Sequence, residues 1–291
     1  MKEYTSLGEL LQDYREDNNL SQADFSGVLN IDIRTLQRWE KDHTLIKPEK
    51  EDDIVLKTLL PYQLIRNLNA AVPIPTYYDF RIRKYSLTPL TTEIPDASWL
   101  KEDINNFSDG IFTIRDKADI DLILRDIQLH NHSPSIVSKE LIKEAIKLLP
   151  ELNLIITDDS GYYAGHSLVF PINAATFKKL KNREISEEAL QIKDLVNPKN
   201  QEQPIFYNYD ITADCNDHIF YIAHQYLNFF VNLQKVDYYF CAFSIRHDSY
   251  HLNEQLGLKL VWEDKKAQKE RALLAPPRFY TGDFKEFLSD K

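Results

Sequence analysis

Leu20-Ser21-Gln22-Ala23-Asp24-Phe25, followed after a short interval by Asn30-Ile31-Asp32-Ile33-Arg34-Thr35-Leu36-Gln37-Arg38-Trp39-Glu40-Lys41, is the stretch from which the fold is most readily read. Ser21 is a good helix N-cap, because its hydroxyl accepts from a backbone N–H that the first turn leaves unpaired, and Asp24 completes a capping-box pattern. Phe25 and Leu29 supply the apolar face of that helix. Asn30-Ile31 forms the tight turn, since Asn tolerates the left-handed backbone better than most residues. Asp32 then caps a third helix, Ile33 to about Lys41. Upstream, Leu7, Leu10, Leu11 and Tyr14 recur at i, i+3, i+4, i+7 and predict a first helix with one buried stripe.

At about 100° per residue, the third helix divides into two faces. Leu36 and Trp39 anchor one, with Thr35 and Glu40 on the same side. Ile33, Arg34, Gln37, Arg38 and Lys41 share the other. These outward groups suit the major groove of double-stranded DNA: Arg can grip guanine, Gln can grip adenine, and an aliphatic side chain can touch a thymine methyl. Gln22, at the start of the preceding helix, is placed to bind a phosphate and fix register.

The residues just quoted resemble the Cro/phage-repressor (XRE) helix-turn-helix family over about residues 5–60. The resemblance implies a third helix inserted in the major groove, usually from a homodimer. Ser26-Gly27 departs from the family, where Ala and a stronger helix former are usual.

The chain has 291 residues and a net charge of -10. Its length accommodates two domains, and its acidity argues against loose binding to polyanions. Residues 1–60 hold eight Lys and Arg against thirteen Asp and Glu. Residues 61–90 are locally basic, with Arg66, Arg81, Arg83 and Lys84 against Asp79 alone. Any DNA-facing positive surface must therefore be local, and Arg81, Arg83 and Lys84 are the expected phosphate contacts. No stretch of about 18 apolar residues exists to span a membrane, and the opening Met1-Lys2-Glu3-Tyr4 lacks the regions of a signal peptide. The expected location is the cytoplasm, with Cys215 and Cys241 as reduced core thiols.

The expected architecture is α+β and multidomain: an all-α domain over 1–70, a basic, proline-marked connector over 71–107, and a mixed α/β domain over 108–291. Pro73 and Pro75 mark the connector, and the polar stretch Thr88–Asp96 extends it. Beyond it, Gly110–Ile114 reads as a strand, 117–130 and Lys139–Leu148 as helices, and Leu152–Thr157 and Gly165–Phe170 as strands around the Asp158-Asp159-Ser160-Gly161 turn. Further strands are expected at 205–211, 218–223, 237–245, 258–263 and 271–275, with a helix at about 248–256.

Several of these pieces resemble the GNAT acyltransferase fold, in order, over about residues 108–275. They are Phe112-Thr113-Ile114-Arg115 with Ala118-Asp119-Ile120-Asp121, then Asn153–Thr157, Asp158–Gly161 and Ala164–Pro171. The last are the strand Tyr238–Ser244 and Leu252-Asn253-Glu254-Gln255-Leu256-Gly257-Leu258. The resemblance implies a Gly-rich turn after the fourth strand, where backbone N–H groups meet the pyrophosphate of acetyl-CoA. None of the chain's seven glycines lies between Gly165 and Gly257. With Ile219–Ile222 as the fourth strand, the turn reads Ala223–Phe230 and is crowded by side chains. The family's general-acid tyrosine corresponds to Asn253, with Tyr250 one turn earlier.

These departures favour a non-catalytic GNAT-like sensor or interaction module, with no catalytic residues and no cofactor. Tyr221, His224 and Phe243 are its candidate pocket for a small molecule or a protein ligand. The alternative is an acetyl-CoA-dependent N-acyltransferase fused to a DNA-binding domain. His247 and His251 have helical metal-ligand spacing but no third partner, so no metal is expected.

Overall fold

The computed structural model describes residues 1–89, 111–131, 137–233, 237–270, 273 and 275–289. It divides into two compact units. The first comprises Met1–Thr91 with Thr157–Ala164 and Ala213–Asn216, and the second comprises Thr92–Ile156, Gly165–Thr212 and Asp217–Lys291.

In the first unit, strand β1 (Lys2–Tyr4) precedes helices α1 (Leu7–Asp17), α2 (Gln22–Leu29), α3 (Ile33–Trp39), α4 (Pro48–Thr58) and α5 (Tyr62–Leu68). The local signals around α2 and α3 act as the sequence predicts. Ser21 and Asp24 form a reciprocal capping box, and Asn30 closes α2 at φ 52° in the left-handed region. The Asp32 side chain caps α3 by accepting from the Arg34 N–H. Leu7, Leu10, Leu11, Tyr14, Phe25, Leu29, Leu36 and Trp39 meet in one buried core with residues of α4 and α5.

The expected connector differs from what forms. Strands β2 (Thr76–Asp79) and β3 (Lys84–Ser86) make a hairpin, and β2 pairs antiparallel with β1 through Lys2–Tyr78, Glu3–Tyr77 and Tyr4–Thr76. Tyr78 is buried in the helical core, so burial rather than proline content decides this segment. The boundary expected at residue 70 therefore moves past Ser86, while 90–107 lies outside the described residues. The tip of a later hairpin also joins this unit. The Tyr162 ring packs 4.8 Å from that of Tyr62 and its hydroxyl donates to Asp52, while the Tyr85 N–H donates to the Asp214 carbonyl at 2.8 Å.

The second unit is α+β. Its sheet holds β4 (Ile111–Thr113), β5 (Leu154–Thr157), β6 (Tyr163–Ile172), β7 (Ile205–Ala213), β8 (Tyr239–Ser244), β9 (Lys259–Glu263) and β10 (Arg278–Gly282), in the order β4-β5-β6-β7-β8-β10-β9. The pairs β4–β5, β8–β10 and β9–β10 are antiparallel, and β7–β8 is parallel. Helices α6 (Lys117–Asn131), α7 (Lys139–Leu148), α8 (Ala174–Lys181), α9 (Asn216–Asn232), α10 (His247–Gln255), α11 (Lys265–Glu270) and α12 (Lys285–Ser289) complete it. Most of the strands and helices expected along this part of the sequence form where they are expected, with two corrections. Residues 218–223 are helical, inside α9, because Phe220, Ile222, Tyr226, Leu227 and Phe230 are buried at a spacing a helix can satisfy. The final hairpin closes with Arg278–Gly282 instead of 271–275, of which 271, 272 and 274 lie outside the described residues.

No described helix is long and apolar enough to cross a membrane.

Candidate functional site

The outward face of α3 is built as its spacing predicts. Leu36 and Trp39 are 0% and 7% exposed, whereas Ile33 is 38% exposed and Arg34, Arg38 and Lys41 are exposed. Gln22 and Gln37 are half-buried for a specific reason. The Gln37 Nε2 donates to Gln22 Oε1 at 3.1 Å, and the Gln22 Nε2 donates to Glu40 Oε2 at 2.6 Å. The second Glu40 oxygen accepts from Arg15 Nε at 2.8 Å, and Arg15 also donates to the Leu20 carbonyl at 3.1 Å.

This relay joins α1, the start of α2 and the end of α3. It fixes the two glutamines without using all their hydrogen-bonding capacity, since an amide offers two donors and two acceptor lone pairs. Sequence reasoning missed Arg15 and Glu40. A signal existed: Glu40 falls on the apolar arc of α3, where a carboxylate needs a buried partner.

The expected phosphate contacts after the helices require correction. Arg81 is exposed, but Lys84 is only 6% exposed and Arg83 donates to the Leu59 carbonyl. Arg83 itself holds φ at 50°, and the Leu59 that accepts from it is the left-handed C-cap of α4. Two of the three cations thus support the fold and are not displayed on it.

In the second unit, Tyr221 and His224 lie one turn apart on α9, and Phe243 lies on β8 with its ring 6.0 Å from that of Trp262. The His224 Nε2 is 2.9 Å from the Asn228 amide, and burial pushes its imidazole below the ordinary value. Because 223–230 is helical, the connection after the fourth strand of the sheet is Asp214-Cys215, between Ala213 of β7 and Asn216 of α9. It contains no glycine either.

The parallel ladder between β7 and β8 runs from Ile205–Tyr239 to Asn208–Ala242, short of the end of β7. At that last rung the Tyr226 hydroxyl donates to Asn208 Oδ1 at 3.1 Å and lies 2.7 Å from Ser167 Oγ, which donates to the Leu152 carbonyl at 2.9 Å. Burial raises the Tyr226 phenol well above its usual range, so it stays protonated.

Asn253 is 9% exposed. Tyr250 is 5% exposed, donates its hydroxyl to the Pro276 carbonyl, and has the Arg278 guanidinium 4.2 Å from its ring centre. Burial raises its phenol to about 12. His247 and His251 are both exposed on α10. Phe206 and Tyr207 are core residues, and Tyr209 stacks on Phe170 at 4.9 Å.

Among known proteins, no family model matches the chain, and no curated protein matches it. Solved structures similar to part of it include the following two. One, from Corynebacterium glutamicum, is described as a histone acetyltransferase and related acetyltransferase. It is 11% identical with a TM-score of 0.34, covering 61% of this chain and 97% of its own. The other is the C-terminal condensation domain of Ebony in complex with beta-alanyl-dopamine. It is 11% identical with a TM-score of 0.32, covering 65% of this chain and 95% of its own. At these scores neither likeness adds to the strand order described above, on which the fold rests.

Proposed function

We propose that the chain is a sequence-specific DNA-binding transcriptional regulator of the XRE type, in which α3 reads the major groove of a double-stranded operator. One observation carries the reading. A short, capped helix buries Leu36 and Trp39 while displaying Ile33, Arg34 and Arg38, and its Gln37 is positioned by Gln22, itself held by Glu40. Rigid presentation of Arg and Gln at one helix face is what bidentate base recognition requires, because each pair must meet both base atoms at once. Lys41 follows α3 and suits a phosphate. By resemblance to its family the regulator acts as a homodimer on two half-sites.

The GNAT-like unit serves this regulator as a non-catalytic sensor or interaction module for a small molecule or a protein. Three features support that role over an acetyl-CoA-dependent N-acyltransferase. Asp214-Cys215 offers no bare glycine backbone to a pyrophosphate, the Tyr226 hydroxyl is held by Asn208 at the last rung of the β7–β8 ladder, and neither Asn253 nor the engaged Tyr250 is a placed proton donor.

The test is selection of the full chain on a randomised duplex library, followed by footprinting. Enrichment of a defined sequence with protection in the major groove is the expected result. Binding without any enriched sequence removes the proposal.

A further inference from the structure

If α3 reads base pairs, the phosphate backbone must be held by cations, and the first unit supplies few. Residues 1–60 are acidic, and Arg83 and Lys84 are turned inward. The second unit carries a concentrated alternative. The C-terminal half of α8 and the residue pair after it read Lys178-Lys179-Leu180-Lys181-Asn182-Arg183, and α11 reads Lys265-Lys266-Ala267-Gln268-Lys269-Glu270.

Side-chain interactions bring these segments together. The Trp262 Nε1 donates to the Lys181 carbonyl at 3.0 Å, Arg183 pairs with Asp264, and the Arg183 guanidinium lies 5.0 Å from the Trp262 ring centre.

The patch's anions are largely paired with a few of its own cations and with Arg278. Asp264 pairs with Arg183, and Glu263 with Arg278 at 2.7 Å and Lys265 at 3.3 Å, while Glu270 lies 3.6 Å from Lys266. Glu184 is exposed at its edge. Lys178, Lys179, Lys181 and Lys269 are exposed, and no described acidic group pairs with them.

Local helix stability accounts for only part of this. The macrodipole favours the cations at the C-terminal end of α8 but opposes Lys265 and Lys266, which open α11. Trp262 is not placed to anchor in a membrane: it is stacked on Phe279 with ring planes 11° apart and centres 5.6 Å apart. An interfacial binder needs its aromatic groups free to insert.

We propose that Lys178, Lys179, Lys181 and Lys269 hold the phosphodiester backbone of duplex DNA, as a sequence-independent second site. The inference rests on the DNA-binding reading of α3 and extends it. A weak, non-selective site on the same chain raises affinity by keeping the duplex at high effective concentration once the first site engages.

The experiment measures affinity of the full chain for its selected duplex and for a scrambled duplex of equal length, between about 50 and 200 mM salt. Wild type is compared with the combined Lys178→Gln, Lys179→Gln, Lys181→Gln and Lys269→Gln variant, and with Lys143→Gln/Lys147→Gln on α7 as a control. The slope of log affinity against log salt should become shallower by about 0.9 for each phosphate that a lysine no longer neutralises. Affinity should fall by a similar factor for both duplexes, leaving their ratio unchanged, and the control should match wild type.

An unchanged slope in the four-lysine variant, with Arg34→Ala still relaxing preference at one base pair, overturns this inference and leaves the α3 reading intact. An equal effect per lysine in the control overturns it in favour of diffuse charge. Absence of any duplex binding by wild type removes both readings. An unchanged DNA slope, with binding to phosphatidylserine vesicles abolished in the four-lysine variant, assigns the patch to a membrane surface instead.

Discussion

The Gln22 side-chain amide donates to Glu40 at 2.6 Å, tying the first residue of α2 to the residue that closes α3. Glu40 is 5% exposed on its side chain and Arg15 15%, so their ion pair sits largely out of water. The same carboxylate therefore steadies the helix that is proposed to contact DNA and the glutamine that is proposed to set its register.

Removing that carboxylate should destabilise the first unit. Glu40→Ala leaves the mostly buried Arg15 guanidinium with only the exposed Glu16, 3.7 Å away, so the loss should approach the cost of about 3–5 kcal/mol for breaking a buried pair. Glu40→Gln keeps an acceptor for Gln22 and should cost less. Urea unfolding of both variants checks the order, and equal stability to wild type in Glu40→Ala would show that the pair contributes nothing.

Arg34→Ala and Arg38→Ala should separate binding from folding. Both side chains are exposed, so stability should stay within about 0.5 kcal/mol of wild type. Each should lose about 1–3 kcal/mol of discrimination at one base pair of the selected operator. Competition binding with single-base variants of the duplex is the measurement, and retained selectivity in both variants removes the base-reading assignment. Trp39→Ala is the contrasting case. It empties a core position 7% exposed and should act through stability, at about 3–5 kcal/mol.

Asp24 makes the start of α2 acid-sensitive. Hydrogen bonds from the Ser21 hydroxyl and N–H hold its carboxyl below the usual value. A depressed folded value means that its contribution is present above the unfolded pKa of about 3.9 and is lost as pH falls through the folded one. Wild type should therefore lose stability relative to Asp24→Asn as pH drops below about 4. Thermal melts from neutral to acid pH test this, and parallel curves for the two proteins would refute it.

Acetyl-CoA should give no heat on titration into the second unit at millimolar concentration, and no thiol should be released with a panel of amines. Tyr226→Phe tests what the hydroxyl at the last rung of the β7–β8 ladder does meanwhile. It leaves Asn208 Oδ1 without that donor, at a cost of about 1–3 kcal/mol. Saturable binding with turnover would instead establish the acyltransferase.

The sequence by itself determined the features that are encoded over a few residues. Ser21 with Asp24, Asn30 and Asp32 set the ends of α2 and α3, because caps and left-handed turns are satisfied by immediate neighbours. The division of α3 into a buried and an outward arc was legible for the same reason, as were α7 and the turn ending at Gly161, whose φ is 83°. Tertiary structure decided what depends on distant partners. Ile219-Phe220-Tyr221-Ile222 has the composition of a strand, yet it is helical because α9 buries Phe220, Ile222, Tyr226 and Phe230 together. Arg83 and Lys84 read as a displayed basic segment, and pairing of their hairpin with β1 turns them to structural use. The meeting of Arg183 with Trp262 and Asp264 spans about eighty residues of chain, and the Gln22–Glu40–Arg15 relay spans three helices. Local hydrogen bonding is written in neighbouring residues, whereas burial and charge pairing are properties of whichever surfaces the folded chain brings together.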